Sequence, residues 1–288
     1  STGDMPDVLH AQDSLTGQAL ARIQPDQPWV RTVHHLDDFT EPDLSAWQDG
    51  AWRGASAVCT VSHAWHERLT RMAPTQSIHR VYNGVDLARF RPATGDVEAH
   101  DWLALRALGL TPDEPYILTV GGVEARKNSA RLLEAFARLR AEVPDARSVR
   151  LVVVGGASLL QHTAEQQAWQ KTLRDACLEE GPSGAVLRTG ALPDAIVPAL
   201  MRHARLLAMP SLVEGFGLAA IEALACCTPV LVSQRAPFTE HLTRCPGVAW
   251  CDPEDPASIA LGLARAWCTG RLPAVPDVCH AHGWQRSA

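Results

Sequence analysis

The chain has 288 residues, of which 46% are hydrophobic and 20% are charged, and this balance excludes a disordered or collagen-like protein. Lys and Arg total 26 and Asp and Glu total 32, so the formal charge of -6 gives no electrostatic reason to expect nucleic acid. No apolar segment reaches the roughly 18 residues of a membrane span, and eight cysteines without a C-x-x-C pair are typical of reduced thiols in a cytoplasmic protein.

The first 85 residues alternate short β-branched segments with helical patterns, and the length of the chain predicts about two domains. A turn signature at Asn83-Gly84-Val85-Asp86 marks a boundary. We therefore assign residues 1–85 to a partial Rossmann-like domain, which has about half the elements of a doubly wound sheet. Its strands are predicted at residues 8–10, 30–34, 58–61 and 78–82, and its helices at 14–23 and 62–72.

Residues 86–115 are predicted to be a linker with one helix at 97–108, and residues 116–288 a second Rossmann-like domain with a tail. Asn128 or Ser129 is expected to cap the helix that begins there, because both residue types cap helices well. Strand and helix alternate as in a parallel sheet with helices on both faces. Strands are predicted at 116–120, 149–154, 186–189, 206–209, 229–233 and 247–250, and helices at 129–141, 161–180, 195–203, 218–225 and 238–243.

The loop after the strand at 116–120 combines Gly121 and Gly122 with Arg126 and Lys127. Ligands of open parallel sheets lie outside the carboxyl ends of the strands. Two glycines that permit close backbone approach and two cations before a helix N-terminus indicate an anion site there. The alternative is a solvated Arg–Lys pair, which would contribute little to folding stability.

A second loop leads from Pro210 into the apolar helix at 218–225. Gly215 and Gly217 leave backbone N–H groups open at the helix start, which suits a phosphate. Glu214 stands at the mouth of this turn, and Glu222 lies further along the helix. A carboxylate on such a helix needs a partner, and either ribose hydroxyls or a structural Arg could serve.

The same loop also matches G-x-G-x-x-A from Gly215 to Ala220, so a nicotinamide cofactor is an alternative. Two observations oppose it. Glu214 would repel a pyrophosphate on these glycines, and Ser233-Gln234 stands where an acidic ribose ligand is expected.

A third loop contains His34, His35, Asp37 and Asp38, and His with Asp suggests a metal site or a metal-dependent hydrolase. Adjacent residues of a strand point to opposite faces, which disfavours a shared ion. A single histidine that lines a cleft is the preferred interpretation, and a core or capping histidine is the alternative.

Several of these motifs occur together in a known family. The ordered set resembles the retaining family-4 glycosyltransferases, which have the GT-B fold of two Rossmann-like domains. The Glu214-to-Glu222 spacing is the family's E-x7-E signature, and the likeness covers nearly the whole chain. The matching segments are Thr32-Val33-His34, Val61-Ser62, residues 81–86 with Phe90 and Pro92, Val120-Gly121, Arg126-Lys127-Asn128, residues 151–156, and 210–230.

The resemblance implies a role for each site residue. Arg126 and Lys127 would bind the donor diphosphate, and Glu222 would hold the nucleotide ribose. Glu214 and the following backbone would hold the donor sugar and its phosphate, and His34 would stand by that sugar on the acceptor side. The expected catalytic residues are thus His34 and Glu214, and the expected donor-binding residues are Gly121, Gly122, Arg126, Lys127, Glu214, Gly215, Phe216, Gly217, Leu218 and Glu222.

The implied reaction is transfer of a hexosyl group from a nucleotide-sugar, with retained configuration, to an unidentified acceptor. The family needs no metal, which agrees with the lack of a D-x-D pair, so no metal or other cofactor is expected. A nucleotide-sugar-binding protein without transfer activity remains the alternative.

Two departures from the family's pattern qualify these expectations. Gly122 stands where the family often has Arg, and Arg126 would take over its part. The family's N-terminal domain begins with a Gly-rich loop and several strands ahead of the position of Asp7, and a final helix follows a tryptophan like Trp284. We therefore expect truncation at both ends, which leaves open both peripheral membrane contact through the N-terminal part and the activity of this chain alone.

Overall fold

A computed structural model of the chain describes residues 6–23, 26–39, 41–156 and 163–287. Its contacts divide it into two compact units. The first ends at Asn83 and also includes Ser287, and the second runs from Gly84 to Arg286. Each unit is built on its own parallel sheet, which confirms the prediction of two Rossmann-like α/β domains.

The first unit contains a four-stranded sheet in the order β1-β2-β3-β4. Every crossover leads to the next strand in the same direction, so right-handed crossovers place its three helices on one face. Gly17 and Gly50 let two of these helices pack closely, since a Cβ on Gly17 would lie 2.9 Å from the Ala51 carbonyl oxygen. The elements are β1 Leu9–Ala11, α1 Ser14–Ile23, β2 Trp29–Val33, α2 Pro42–Arg53, β3 Ala57–Thr60, α3 His63–Met72 and β4 Ile78–Arg80.

The second unit contains a six-stranded parallel sheet. Its strands are β5 Tyr116–Val120, β6 Arg150–Val154, β7 Val186–Gly190, β8 Leu206–Met209, β9 Val230–Ser233 and β10 Val248–Cys251. Its helices are α4 Asp96–Arg106, α5 Ser129–Glu142, α6 Thr163–Asp175, α7 Val197–His203, α8 Leu218–Ala225, α9 Phe238–His241, α10 Pro256–Thr269 and α11 Asp277–Ala281, and the short α12 spans Trp284–Ser287. A 3-10 turn at Pro144–Ala146 precedes β6.

The strand order of this sheet, β10-β9-β8-β5-β6-β7, fixes where a ligand can bind. Successive strands proceed outward from β5 on one side and from β8 on the other, so the order reverses between these two central neighbours. Open α/β sheets bind ligands at such a switch point, beyond the carboxyl ends of the strands. The loops after β5 and β8 are the two that the sequence singled out.

Four helices were absent from the sequence-based prediction, namely α2, α10 and the short α11 and α12. Helix α10 has clear signals: the Asp255 side chain accepts a hydrogen bond from the Ala257 N–H, and Pro256 occupies the first turn. Its buried Ile259, Leu263 and Ala266 follow the helical period. Helix α6 is shorter than predicted, and the start of the predicted segment lies outside the described residues.

The predicted cap of α5 is wrong in its chemistry. Asn128 occupies the N-cap position, but its backbone is left-handed with φ 62° and its side chain makes no cap hydrogen bond. The Asn128 amide instead donates to the carbonyl oxygens of Pro210, at 2.9 Å, and Pro253, at 2.6 Å. The residue therefore joins loops and does not cap the helix.

A buried ion pair joins helix α4 to helix α7 within the second unit. Arg202 donates through Nε and Nη2 to the two carboxylate oxygens of Asp101, each at 2.6 Å, and His203 lies 3.0 Å from the same carboxylate.

All eight cysteines are free thiols, as predicted. Among the described residues no helix has the length and apolarity that a membrane crossing requires.

Candidate functional site

The loops that follow β5 and β8 are bonded to each other at the switch point. The Leu212 N–H donates to the Arg126 carbonyl oxygen at 2.9 Å, and Asn128 reaches Pro210 as described above. The Ser233 hydroxyl, at the end of β9, donates to the Ser211 carbonyl oxygen. These bonds bring together two predicted site segments that are about ninety residues apart in the chain.

Glu214 is the centre of this assembly. Its Oε1 accepts a hydrogen bond from Lys127 Nζ at 2.6 Å and from the Ser211 hydroxyl at 2.8 Å, and its Oε2 lies 3.7 Å from Arg126 Nη1. The Glu214 side chain is only 8% exposed. The structure thus brings Arg126, Lys127 and Glu214 into one cluster, where the sequence had placed the cations and the carboxylate in separate roles.

The electrostatics of Glu214 follow from these contacts. Burial alone would raise the pKa of its carboxyl group, but the charge and hydrogen bond of Lys127, the charge of Arg126 and the Ser211 hydroxyl together hold that pKa below its usual range. The alternative of a solvated Arg–Lys pair is wrong, because the Arg126 and Lys127 side chains are 22% and 15% exposed and both contact this carboxylate.

Glycine is required at three positions for steric reasons. Gly121 and Gly122 have φ of 125° and 74°, which favour glycine, and a Cβ on Gly121 would lie 2.7 Å from Lys127 Cε. Gly217 has φ 82°, and a Cβ there would lie 2.3 Å from the ring of Phe238. The glycines therefore let Lys127 cross the first turn and let Phe238 close against the second.

Helix α8 begins at Leu218, directly after the Glu214-Gly215-Phe216-Gly217 turn. The first N–H groups of a helix have no acceptor within the helix, so this start presents donors at the switch point. Helix α5 begins at Ser129 after the Lys127 loop. Two helix N-termini and two cations thus converge at one end of the sheet.

Glu222 lies on α8 and is partly buried. Burial raises the pKa of its carboxyl group to about 7, a shift that the charge of Arg89 opposes and that of Asp194 reinforces. No described residue donates a hydrogen bond to this carboxylate. The sequence analysis left open a structural Arg as the partner of Glu222. In the structure the charge of Arg89 acts on this carboxylate, but Arg89 donates no hydrogen bond to it.

The ring of Phe216 is enclosed by aromatic side chains. Its centroid lies 4.8 Å from that of His241 and 5.3 Å from that of His282. Burial lowers the pKa of His241 to about 4, and the nearby His282 contributes in the same direction. Phe216 is 3% exposed, so its ring presents almost no surface to solvent.

His34 lies on the first unit, immediately after β2. Its Nε2 is 3.1 Å from Gln12 Oε1. Burial lowers the pKa of His34, and the charges of Arg31, His35 and His10 lower it further. His35 instead lies 3.4 Å from Asp37, so the two histidines have different partners, and the described residues contain no group of three or more His, Cys, Asp or Glu side chains that could hold a metal ion.

Sequence reasoning did not predict what three residues do at this site. Asn128 and Ser211 are each 2% exposed; Asn128 connects the two loops, and the Ser211 hydroxyl donates to Glu214 of its own loop. Arg89 contributes charge at Glu222. In the sequence, Asn128 and Ser211 stand out only as members of the short segments Arg-Lys-Asn and Pro-Ser. The contact of Asn128 with Pro210 spans 82 residues of sequence, and local spacing does not encode such a contact.

The chain matches two family descriptions. Residues 102–268 match the family described as "Glycosyl transferases group 1", and residues 4–89 match "Glycosyltransferase Family 4". Residues 90–101 separate the two matches, close to the boundary between the two units at Asn83 and Gly84.

Several curated relatives are named "D-inositol 3-phosphate glycosyltransferase". The relative from Jonesia denitrificans is 34% identical over 252 residues, which cover 81% of this chain and 57% of the relative. That from Segniliparus rotundus is 38% identical over 242 residues, covering 79% and 51% respectively. The chain thus spans little more than half the length of these relatives.

Solved structures resemble both units. Sucrose-phosphate synthase from Thermosynechococcus elongatus has a TM-score of 0.73 at 22% identity, and the match covers 98% of this chain and 71% of that one. Anabaena Alr3699/HepE in complex with UDP and glucose has a TM-score of 0.69 at 19% identity, covering 91% and 68%. At these identities the similarity is one of fold.

Proposed function

The chain belongs to the group 1 glycosyl transferases and has their GT-B, Rossmann-like fold, and from this premise we propose that it transfers a hexosyl group from a nucleotide-sugar with retained configuration. The observation that carries the proposal is the cluster of Arg126, Lys127 and Glu214 at the switch point of the second sheet. This cluster combines cations with a carboxylate where a nucleotide-sugar would present its phosphates and its sugar.

The donor diphosphate binds to Arg126, to Lys127 and to the backbone at the start of α8. Glu214 occupies one of the three N–H donors of Lys127, and an Arg carries five, so donors remain for phosphate oxygens. Glu214 accepts hydrogen bonds from the donor sugar, beside the backbone of Gly215, Phe216, Gly217 and Leu218. Glu222 accepts hydrogen bonds from the two ribose hydroxyls, a role supported by the absence of a described hydrogen-bond donor at its carboxylate.

Cleavage of the sugar–phosphate bond builds negative charge on the leaving diphosphate. Preorganised cations and helix N–H groups stabilise charge that develops in the transition state, and they do so without reorganisation. The reaction therefore proceeds without a divalent ion, because Arg126 and Lys127 supply the positive charge. To His34 we assign the remaining catalytic role, which is the one that the family resemblance implies for it.

The comparisons indicate which substrates to test first. A solved structural neighbour is described as a complex with UDP-glucose, and curated relatives are named for D-inositol 3-phosphate. UDP-glucose as donor and a phosphorylated inositol as acceptor are accordingly the first pair to assay.

The test is a transfer assay in excess chelator, with the anomeric configuration of the product read by NMR. We expect transfer in the absence of divalent ions and an α-linked product from the α-linked donor. A β-linked product rejects retention, and activity that appears only after a divalent ion is added rejects the metal-free mechanism. Binding of the donor with no transfer to any acceptor would favour the nucleotide-sugar-binding alternative.

A further inference from the structure

The carboxyl ends of β1 and β2 carry a continuous chain of hydrogen-bonded side chains. His34 Nε2 lies 3.1 Å from Gln12 Oε1, and Gln12 Nε2 lies 3.1 Å from His10 Nε2. His10 Nε2 is in turn 2.8 Å from Thr32 Oγ1. The parallel register, in which Ala11 pairs with Arg31, brings these side chains from the two strands to the same end of the sheet.

The chemistry of the Gln12 amide gives this chain a direction. A carbonyl oxygen only accepts, so His34 Nε2 carries the proton of the bond to Gln12 Oε1. The amide nitrogen only donates, so His10 Nε2 accepts from it. A neutral imidazole carries one ring proton, and with that proton on Nε2 the Nδ1 of His34 presents a lone pair.

Two features of its surroundings favour the neutral form of His34 that such a selection requires. Burial lowers its pKa, and the positive charge of Arg31 acts in the same direction. Arg31 is 4% exposed and lies on β2, three residues before His34. The buried Arg31 thus disfavours the protonated imidazolium of His34. The hydrogen bond with the Gln12 amide then favours one of the two neutral tautomers of His34.

We propose that Gln12 is a positioning residue that holds His34 in the tautomer protonated on Nε2, so that Nδ1 accepts a hydrogen bond from a substrate hydroxyl. The second half of this statement rests on the proposed function, because it requires the catalytic role that we assign to His34. The first half concerns only the two side chains and needs no substrate.

The tautomer is measured by NMR on the full chain labelled with ¹⁵N-histidine, at pH 8 so that the imidazoles are neutral. The His34 signals are assigned by their loss in His34→Gln. We expect a protonated Nε2 and an unprotonated Nδ1 in the wild type. Gln12→Ala should give averaged nitrogen shifts of mixed tautomers, and Gln12→Glu, whose carboxylate is also an acceptor, should restore the Nε2-protonated form.

The matched control is Gln27→Ala, another glutamine of the first unit, whose amide donates to the Pro6 carbonyl oxygen at 3.0 Å. This variant should leave the His34 signals unchanged. A wild-type His34 protonated on Nδ1, or a tautomer that is unaltered in Gln12→Ala, would overturn the proposal. Thermal melts of each variant identify any loss of fold.

A kinetic measurement tests the link to substrate. Gln12→Ala should lower kcat about tenfold, the scale of one lost hydrogen bond, while UDP affinity stays unchanged and Gln12→Glu recovers part of the rate. A weakened UDP affinity with unchanged kcat contradicts the positioning role. If the tautomer follows Gln12 but no nucleotide diphosphate binds, the proposed function fails and the tautomer assignment stands.

Discussion

Glu214 is the site residue whose observed contacts differ most from those that the sequence predicted. Its oxygens are shielded from solvent and paired with Lys127 and Arg126. Removal of one partner from a buried ion pair is costly because the remaining charge is left without compensation. The cations therefore support folding in addition to the ligand-binding role that we propose for them, contrary to the expectation for a solvated pair.

The first prediction concerns Lys127. We expect Lys127→Ala to lower the free energy of unfolding by about 3 kcal/mol, the scale of a broken buried pair, as measured by urea denaturation. Lys171→Ala is the control, because Lys171 forms an ion pair with Asp175 at 2.5 Å but is 71% exposed, so its loss should cost little. Equal effects of the two substitutions would contradict the structural role of Lys127.

Adding Glu214→Gln to Lys127→Ala separates folding from binding. The double variant carries no uncompensated charge, so it should recover part of the lost stability. Nucleotide diphosphate affinity should stay weak, because the cation is still missing. Recovery of binding together with stability would show that Lys127 acts on the ligand only through the fold.

The second prediction concerns Glu222, whose pKa is raised from 4.5 to about 7. A carboxyl group with a raised folded-state pKa contributes stability below pH 4.5 and loses it as the pH rises to 7. At pH 8 the free protein holds a penalised carboxylate. Glu222→Gln should then raise the melting temperature, by an amount equivalent to at most about 3 kcal/mol.

The same substitution should weaken UDP binding by about 10- to 100-fold, because charged hydrogen bonds contribute about 1.5–3 kcal/mol. The control is Glu134→Gln, which removes a 44% exposed carboxylate paired with Arg138 on α5 and should change neither quantity. A lower melting temperature with unchanged affinity would identify Glu222 as a structural ion-pair partner instead.

At the scale of elements, helix α9 and the segment after α11 hold the turn that contains Phe216. His241 packs against the Phe216 ring, and both of its ring nitrogens are shielded from solvent without a hydrogen bond of normal geometry to a described residue. Protonation would place a charge in this apolar contact. The shape of the turn is therefore coupled to the neutral state of His241.

The third prediction follows from the pKa of His241, lowered from 6.5 to about 4. The unfolded chain binds a proton at His241 that the folded protein excludes, so stability is lost as the pH falls from 6.5 towards 4, by about 2 kcal/mol at pH 5. His241→Phe should reduce this dependence in urea denaturation at pH 5 and 7. His100→Phe, at an exposed position on α4, should not.

Element types were predictable wherever the chain repeats one clear pattern. The strands of the second sheet are short and apolar, and all six agree with the sequence to within one or two residues. Helix α2 was missed because its inward residues are Gln48, Ala51 and Trp52, a mixed polar and aromatic set with a weak apolar period. Helix α10 was missed despite a readable signal.

At the scale of the whole molecule, the sequence identified the site loops after β5 and β8, and the structure shows which side chains contact each other there. Alternation of strands and helices predicts a parallel sheet, and ligands of such sheets lie beyond the carboxyl ends of the strands, so the loops there could be identified. The pairing of Glu214 with Lys127 and the bond between Gln12 and His34 join residues 87 and 22 positions apart. Such contacts depend on register and side-chain direction, and no spacing rule contains them.

The central claim is that the second unit holds a nucleotide diphosphate through protein groups alone. Isothermal titration calorimetry with UDP, GDP and ADP in excess EDTA tests it most directly, using the wild type and the Glu222→Gln and Glu134→Gln variants. We expect at least one nucleotide diphosphate to bind in EDTA, with affinity about 10- to 100-fold weaker in Glu222→Gln and unchanged in Glu134→Gln. Absence of binding by all three, or binding that requires a divalent ion, would contradict the account.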